Sequence, residues 1–397
     1  MPYFSKPFLP FLLILLSLAL CLAATAATGA TVFPYETATQ LLVPEESAPA
    51  TTPPVTSAAS YALLDRDSGL LMAEKDAHTR RPMASTTKLM TALVALELLP
   101  WDQTVTVPRE AVGIEGSSIY LFEGEQITVG TLLYGLMLSS ANDAATALAI
   151  CAAGSIEAFA ARMNEKAATL GLTNTHFCNP HGLHHKDHYT TAFDLAQLTA
   201  AALKNETFAK IVATPRYSAP QMGTEASRLF LNHNRLLRGY EGAVGVKTGF
   251  TKTSGRCLVS AATREGLTLI AVTLNAPDDW HDHAALLDFG FSQYRAFCPT
   301  PMRFTLPVVG GNAPTVDLYC KETYRVTLPK SHAAITCTVE APRFLFGGFT
   351  KEAVKGRVLY RMGDQLLFEA PLLTDAAVTA EKPSATWLAR IKNLFGD

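Results

Sequence analysis

Pro82-Met83-Ala84-Ser85-Thr86-Thr87-Lys88 runs directly into the apolar stretch Leu89 to Leu99, and the reading of that junction decides the rest of the chain. Leu89, Leu93 and Leu96 share one helical face and Pro100 closes the run, so the spacing predicts a helix starting about at Ser85. Positions i and i+3 lie on one face of a helix, which brings the Lys88 amine to the Ser85 hydroxyl. A serine at a helix start also has backbone N–H groups and their partial positive charge beside it.

Working outward, two further strings follow in order. Ser140-Ala141-Asn142 sits at a polar break between two helical patterns, Thr131 to Leu138 and Asp143 to Ala153, the second closed by Gly154. Lys247-Thr248-Gly249 ends a strand-like stretch from Ala243, and Gly255 to Arg264 with Leu267 to Leu274 read as a hairpin turning at Arg264-Glu265-Gly266. Gly249 leaves room for a ligand backbone to come close. Each string alone has a plainer use. Asn142 serves equally as a helix N-cap, Lys247 as a charge guarding an edge strand, and a lone Ser-x-x-Lys arises by composition. Ser85 is nevertheless the only serine here with lysine three residues on.

The chemistry accounts for these residue types. A serine hydroxyl is a weak nucleophile until a neighbour takes its proton. A lysine can do so only as the neutral amine, with its pKa far below the ordinary value of about 10.4. Burial and a second cation both push in that direction, and Lys247 is the candidate cation.

Length and composition bound the rest. The 397 residues are 48% hydrophobic, enough for two or three cored domains. Thirty-three basic against 35 acidic residues leave a net charge of -2 and no basic stripe for nucleic acid. Lys6, the apolar run Phe8 to Ala23 and Ala24-Thr25-Ala26 read as a cleavable secretion leader; an uncleaved span is the other reading, and Leu20 before Cys21 argues against a lipoprotein signal. The expected map is a leader at 1–26, a flexible Ala/Thr/Pro/Glu-rich spacer at 27–57, a main domain at 58–296, a small β-rich domain at 297–375, and a linker with a terminal amphipathic helix at 376–397. Ser60 to Leu64 and Leu70 to Glu74 read as a hairpin. Val316 to Tyr319, Tyr324 to Leu328, Ile335 to Val339 and Val358 to Met362 read as strands of the small domain.

The Pro82 to Lys88 stretch, with Asn179-Pro180-His181-Gly182-Leu183, His188-Tyr189-Thr190-Thr191-Ala192 and Gly245-Val246-Lys247-Thr248-Gly249-Phe250-Thr251, resembles the secreted serine D-alanyl-D-alanine carboxypeptidases, from about Ser60 to Tyr294. The resemblance implies an α/β (α+β) fold: a β-lactamase/transpeptidase-like domain with a central antiparallel sheet flanked by helices, and a small C-terminal β-rich domain. It implies Ser85 as nucleophile, Lys88 as base, Ser140 relaying a proton to the departing D-alanine, and Asn142 orienting Lys88 and the substrate amide. Lys247 and Thr248 would hold the terminal carboxylate, Gly249 would admit the ligand, and the N–H groups of Ser85 and Phe250 would form the oxyanion hole. Peptidoglycan stem peptides and β-lactams are the implied partners, with no cofactor and no metal.

Two departures stand out. Phe250 replaces a histidine found in some relatives, and Pro277 to His283 lacks an arginine that some use to grip the carboxylate, so that grip leans on Lys247 and Thr248. A β-lactamase is disfavoured because no glutamate in the chain has asparagine four residues on. A D,D-endopeptidase and a penicilloyl-binding sensor without turnover remain as alternatives.

His181, His184, His185 and His188 are either metal ligands or loop histidines that shape the cleft; their Asn/Pro/Gly-rich setting favours the second. Trp387, Leu388, Ile391, Leu394 and Phe395 fall within a ~120° helical arc, fit for a membrane interface or for docking on the protein itself. Past Cys21, Cys320 with Cys337 is the pair to consider for a disulfide, although spacing alone does not establish it, and Cys151 and Cys257 read as buried thiols.

Overall fold

The computed structural model describes residues 35–47, 51–222 and 226–381. The leader and the amphipathic Trp387 to Phe395 segment lie outside the described residues. Among those described, no single helix is long and apolar enough to cross a membrane. The described residues form two compact units, one of Glu46–Phe297 with Arg325–His332, the other of the remaining described residues.

The larger unit is built on a five-stranded antiparallel sheet. Its order is Leu71–Lys75, Ser60–Asp65, Leu267–Leu274, Gly255–Arg264, Ala243–Thr251. Ser60–Asp65 and Leu267–Leu274 are buried along their whole length, as strands covered on both faces must be. Side chains alternate across such a strand, and the two cores divide accordingly. Ala62, Leu64, Ile270 and Val272 face the helical core containing Leu89, Leu93, Leu136 and Leu148. Tyr61, Leu63, Leu269 and Ala271 instead pack with Leu286 and Leu287 of the helix Asp279–Gln293. Both expected hairpins form. The turn at Glu265 and Gly266 has φ of 47° and 78°, the paired positive values that match strand twist in a two-residue hairpin loop.

His283 stitches the last helix to the sheet, its ring lying 2.5 Å from Ser260 Oγ and 2.9 Å from Thr273 Oγ1. Burial pushes this imidazole down to about 3. An imidazole that is neutral when folded but protonates in the unfolded chain below about 6.5 draws protons toward unfolding as pH falls. Thermal midpoints measured from pH 7 down to pH 4 should therefore fall, and His283→Gln should flatten that slope; an unchanged slope would remove His283 from the account.

The smaller unit is a seven-stranded sheet, and several features of the chain differ from expectation. Tyr35–Val43, inside the expected flexible spacer, is an edge strand paired antiparallel with Ile335–Pro342, with Thr39 and Thr338 hydroxyls 3.0 Å apart. Ser57, at the spacer's far end, is tied to Asp282 through its N–H and through its hydroxyl at 2.6 Å. Tyr324 to Leu328, expected in the small domain, contributes Val326–Pro329 to the larger unit by pairing with Tyr294–Phe297. Cys320 and Cys337 are both buried free thiols, with Cys337 hydrogen-bonded to Tyr360, so the considered disulfide is not made. Cys257 is buried as expected, whereas Cys151 is partly exposed.

Candidate active site

The Ser85 junction folds as a 3₁₀ turn, Ala84–Thr87, leading into the helix Lys88–Leu98. Ala84 adopts a φ of 48° and Ser140 one of 58°, a region that is uncommon for residues with a Cβ. These two strained positions flank a cleft of about 610 Å³ lined by Ser85, Ser140, Thr248, Gly249 and Phe250 among others. Lys88, Asn142 and Lys247 are buried. A larger concavity of about 920 Å³ lies in the smaller unit, but its lining holds no serine, cysteine or histidine.

Lys88 is fully buried, and its amine has three neighbours. Nζ lies 3.0 Å from Ser85 Oγ, 2.6 Å from Asn142 Oδ1 and 2.6 Å from the carbonyl oxygen of His181. Asn142 does not act as the N-cap: that position belongs to Ala141, while Asn142 Nδ2 donates to the Glu115 carbonyl at 2.5 Å, which fixes Oδ1 toward Lys88. Burial holds the Lys88 amine well below its usual range; the Lys247 charge adds to this and Asp143 opposes it. Lys247 is itself lowered to about 7 by burial.

Lys247, Thr248 and Gly249 lie on the edge strand of the five-stranded sheet. Lys247 Nζ donates to the Thr248 carbonyl at 3.0 Å. A Cβ on Gly249 would sit 3.1 Å from the Ser85 nitrogen, so the absence of a side chain is what lets this strand approach the Ser85 turn. Phe250 is largely exposed at the cleft rim. Pro277 to His283 holds no arginine, but Arg235, Arg238 and Arg256 line the cleft, Arg256 being 2.7 Å from Asp279.

Several participants were not singled out from sequence. Asp143 is buried and accepts from Ser118 Oγ at 2.6 Å and from the Ile119 and Leu121 N–H groups, which shapes the wall at 117–121. Thr91 Oγ1 donates to the Pro180 carbonyl at 2.6 Å. Of the clustered histidines, His181 works through its carbonyl rather than its ring, and its ring is pushed down to about 4 by burial and by Lys88. Replacing Lys247 by alanine should relieve the depression of Lys88. The rising limb of acylation against pH should then move to higher pH, and an unmoved limb would show that burial alone sets Lys88.

A serine and a buried lysine so placed, on an antiparallel sheet flanked by helices, define a penicillin-binding serine peptidase. Residues 47–278 match the family model for D-alanyl-D-alanine carboxypeptidases. The chain is 37% identical over 245 residues to the carboxypeptidase DacF of Bacillus subtilis, covering 60% of this chain and 63% of that one. It is 30% identical over 364 residues to DacA of Escherichia coli, covering 85% and 87%. Among solved structures, penicillin binding protein 5 of Haemophilus influenzae superposes with a TM-score of 0.65 at 27% identity, covering 83% of this chain and all of that one. The Streptomyces K15 DD-transpeptidase gives 0.58 at 37%, covering 61% and all of that chain. The chain belongs to the D-alanyl-D-alanine carboxypeptidase family and is a serine-type enzyme of that class.

Proposed function

We propose that Ser85 is acylated by the penultimate D-alanine carbonyl of a peptidoglycan pentapeptide stem, releasing the terminal D-alanine, and that water then frees the tetrapeptide. The surroundings of Lys88 carry this reading. Its two carbonyl neighbours only accept, so they take two N–H bonds. In the neutral amine the remaining position is the lone pair, and it faces Ser85 Oγ at 3.0 Å. The serine hydroxyl thus donates to Lys88 before reaction, and its proton passes to Nζ as Oγ attacks.

Ser140, across the cleft, gives its hydroxyl proton to the departing amine as it takes up the one held on Lys88 Nζ, so both side chains return to their starting state. The Ser85 and Phe250 N–H groups receive the oxyanion, and Lys247 with Thr248 holds the substrate carboxylate, assisted by the cleft arginines. A penicillin enters the same steps but leaves a bulky acyl group. Among the described residues no glutamate lines the cleft to drive water at it, so the adduct persists. Action outside the cytoplasm suits this substrate, and the leader and the amphipathic Trp387 to Phe395 segment support export and attachment to the outer membrane face.

The test is to incubate the full-length chain with a D-Ala-D-Ala pentapeptide and, separately, with labelled penicillin. Free D-alanine and a label mapped to Ser85 are expected. Penicillin labelling without D-alanine release would favour the sensor reading. For attachment, deleting Trp387 to Phe395 should abolish sedimentation with anionic liposomes, and unchanged sedimentation would remove the anchor.

A further inference from the structure

A directed chain of hydrogen bonds runs from the 178–188 loop to the peptide that precedes Ser85. The Cys178 N–H donates to His188 Nδ1 at 3.0 Å, so in the neutral ring the single proton resides on Nε2. Nε2 lies 2.7 Å from Thr87 Oγ1 and donates to it. Thr87 Oγ1 then gives its own proton to the Ala84 carbonyl oxygen at 2.8 Å. That oxygen and the Ser85 N–H belong to one planar peptide unit and, in the trans form, point in opposite directions.

We propose that His188, acting through Thr87, is a positioning residue for the oxyanion hole, fixing the plane of the Ala84–Ser85 peptide so that the Ser85 N–H is aimed into the cleft. This rests on the reading of Ser85 as the nucleophile. Three observations point the same way. Ala84 is held at a strained positive φ, so its peptide orientation needs support from outside the turn. A Cβ on Gly182 would lie 1.9 Å from the Ala84 oxygen and 2.9 Å from Thr87 Oγ1, so the loop carrying His188 is pressed onto this peptide. Thr87, Ala84 and His188 are all buried, where hydrogen bonds polarise one another and an unmet partner is costly.

The ring also keeps its direction. Burial, then the charges of His181, His176, His185 and His184, push His188 down to about 3. It therefore stays neutral near pH 7, and the order of donors does not reverse there. A hydrogen bond onto a carbonyl also draws charge from the N–H of its own peptide, strengthening that N–H as a donor.

The test compares the full-length chain with Thr87→Val, His188→Phe, their double variant and Thr87→Ser, each checked for folding by circular dichroism. Two quantities are read: the second-order rate of acylation by labelled penicillin, and inhibition by a boronic acid whose tetrahedral adduct places an oxygen in the hole. Loss of one oxyanion donor costs about 10²–10³ in rate, so a mis-aimed donor should cost about 10- to 100-fold in each single variant. Boronate affinity should fall in parallel, the double variant should be no worse than the poorer single one, and Thr87→Ser should recover most of the loss.

Folded variants that acylate at the unmodified rate would overturn the proposal. So would slowed acylation with boronate affinity intact, or losses that multiply in the double variant. Thr87→Ala stands in, with the same expectations, should the larger replacements not fold. Ser85→Ala in the same assay separates the two readings: label on that variant overturns Ser85 as nucleophile, whereas with no label on it the roles of His188 and Thr87 stand or fall on their own rates.

Discussion

Ser85→Ala is expected to take up no labelled penicillin and to release D-alanine at least about 10⁴-fold more slowly than the unmodified chain, since the proposed acyl bond is made by the Ser85 hydroxyl. Ser117 and Ser140 also line the cleft, but it is the Ser85 Oγ that lies 3.0 Å from Lys88 Nζ. Intact-mass measurement after exposure to penicillin decides the matter. A stoichiometric adduct on the alanine variant would move the nucleophile elsewhere. Because Ser85 sits in a short turn and its hydroxyl has Lys88 as its neighbour, the thermal midpoint should shift little, which separates lost chemistry from lost fold.

Lys88→Met should be nearly as damaging, lowering acylation by about 10²–10⁴-fold, the range for a positioned general base. Its pH behaviour adds a second check. The amine is held far below 10.5 in the folded chain by burial and by Lys247, while the unfolded chain leaves it ordinary. The unfolded state thus binds the extra proton, and the stability linked to this site is lost as pH falls from the unfolded value toward the folded one. Methionine removes that linkage together with the rising limb of acylation. It also leaves Asn142 Oδ1 and the His181 carbonyl without a donor, at about 1–3 kcal/mol each. A Lys88→Met enzyme that kept both its acylation rate and the rising limb would eliminate the base.

The sequence displayed the elements whose physics is local. The apolar strands of the five-stranded sheet and the two-residue turn at Glu265-Gly266 each declare themselves within a few residues. Residues in the three motif strings could be assembled because their chemistry requires one another. What stayed hidden depends on distant partners. Tyr35–Val43 has no apolar alternation to mark it, and its Thr39 partner is 299 residues away. His188 was visible within a motif, yet nothing local shows that its ring meets Thr87. Likewise Arg235 and Arg256 reach the cleft from different elements, so an arginine sought only at 277–283 was missed.

The strand Tyr35–Val43 also fixes an order of events. Among the described residues it is the first element to be synthesised, yet its partner Ile335–Pro342 emerges near the end of the chain. Until then its backbone donors and acceptors stay open, and the larger unit, whose sheet is complete by Leu274, can fold while they wait. Closing so long a loop is slow, which makes the early strand the natural target for chaperones and proteases while the chain is being made. Completion of the smaller unit thereby waits on the synthesis of Ile335–Pro342.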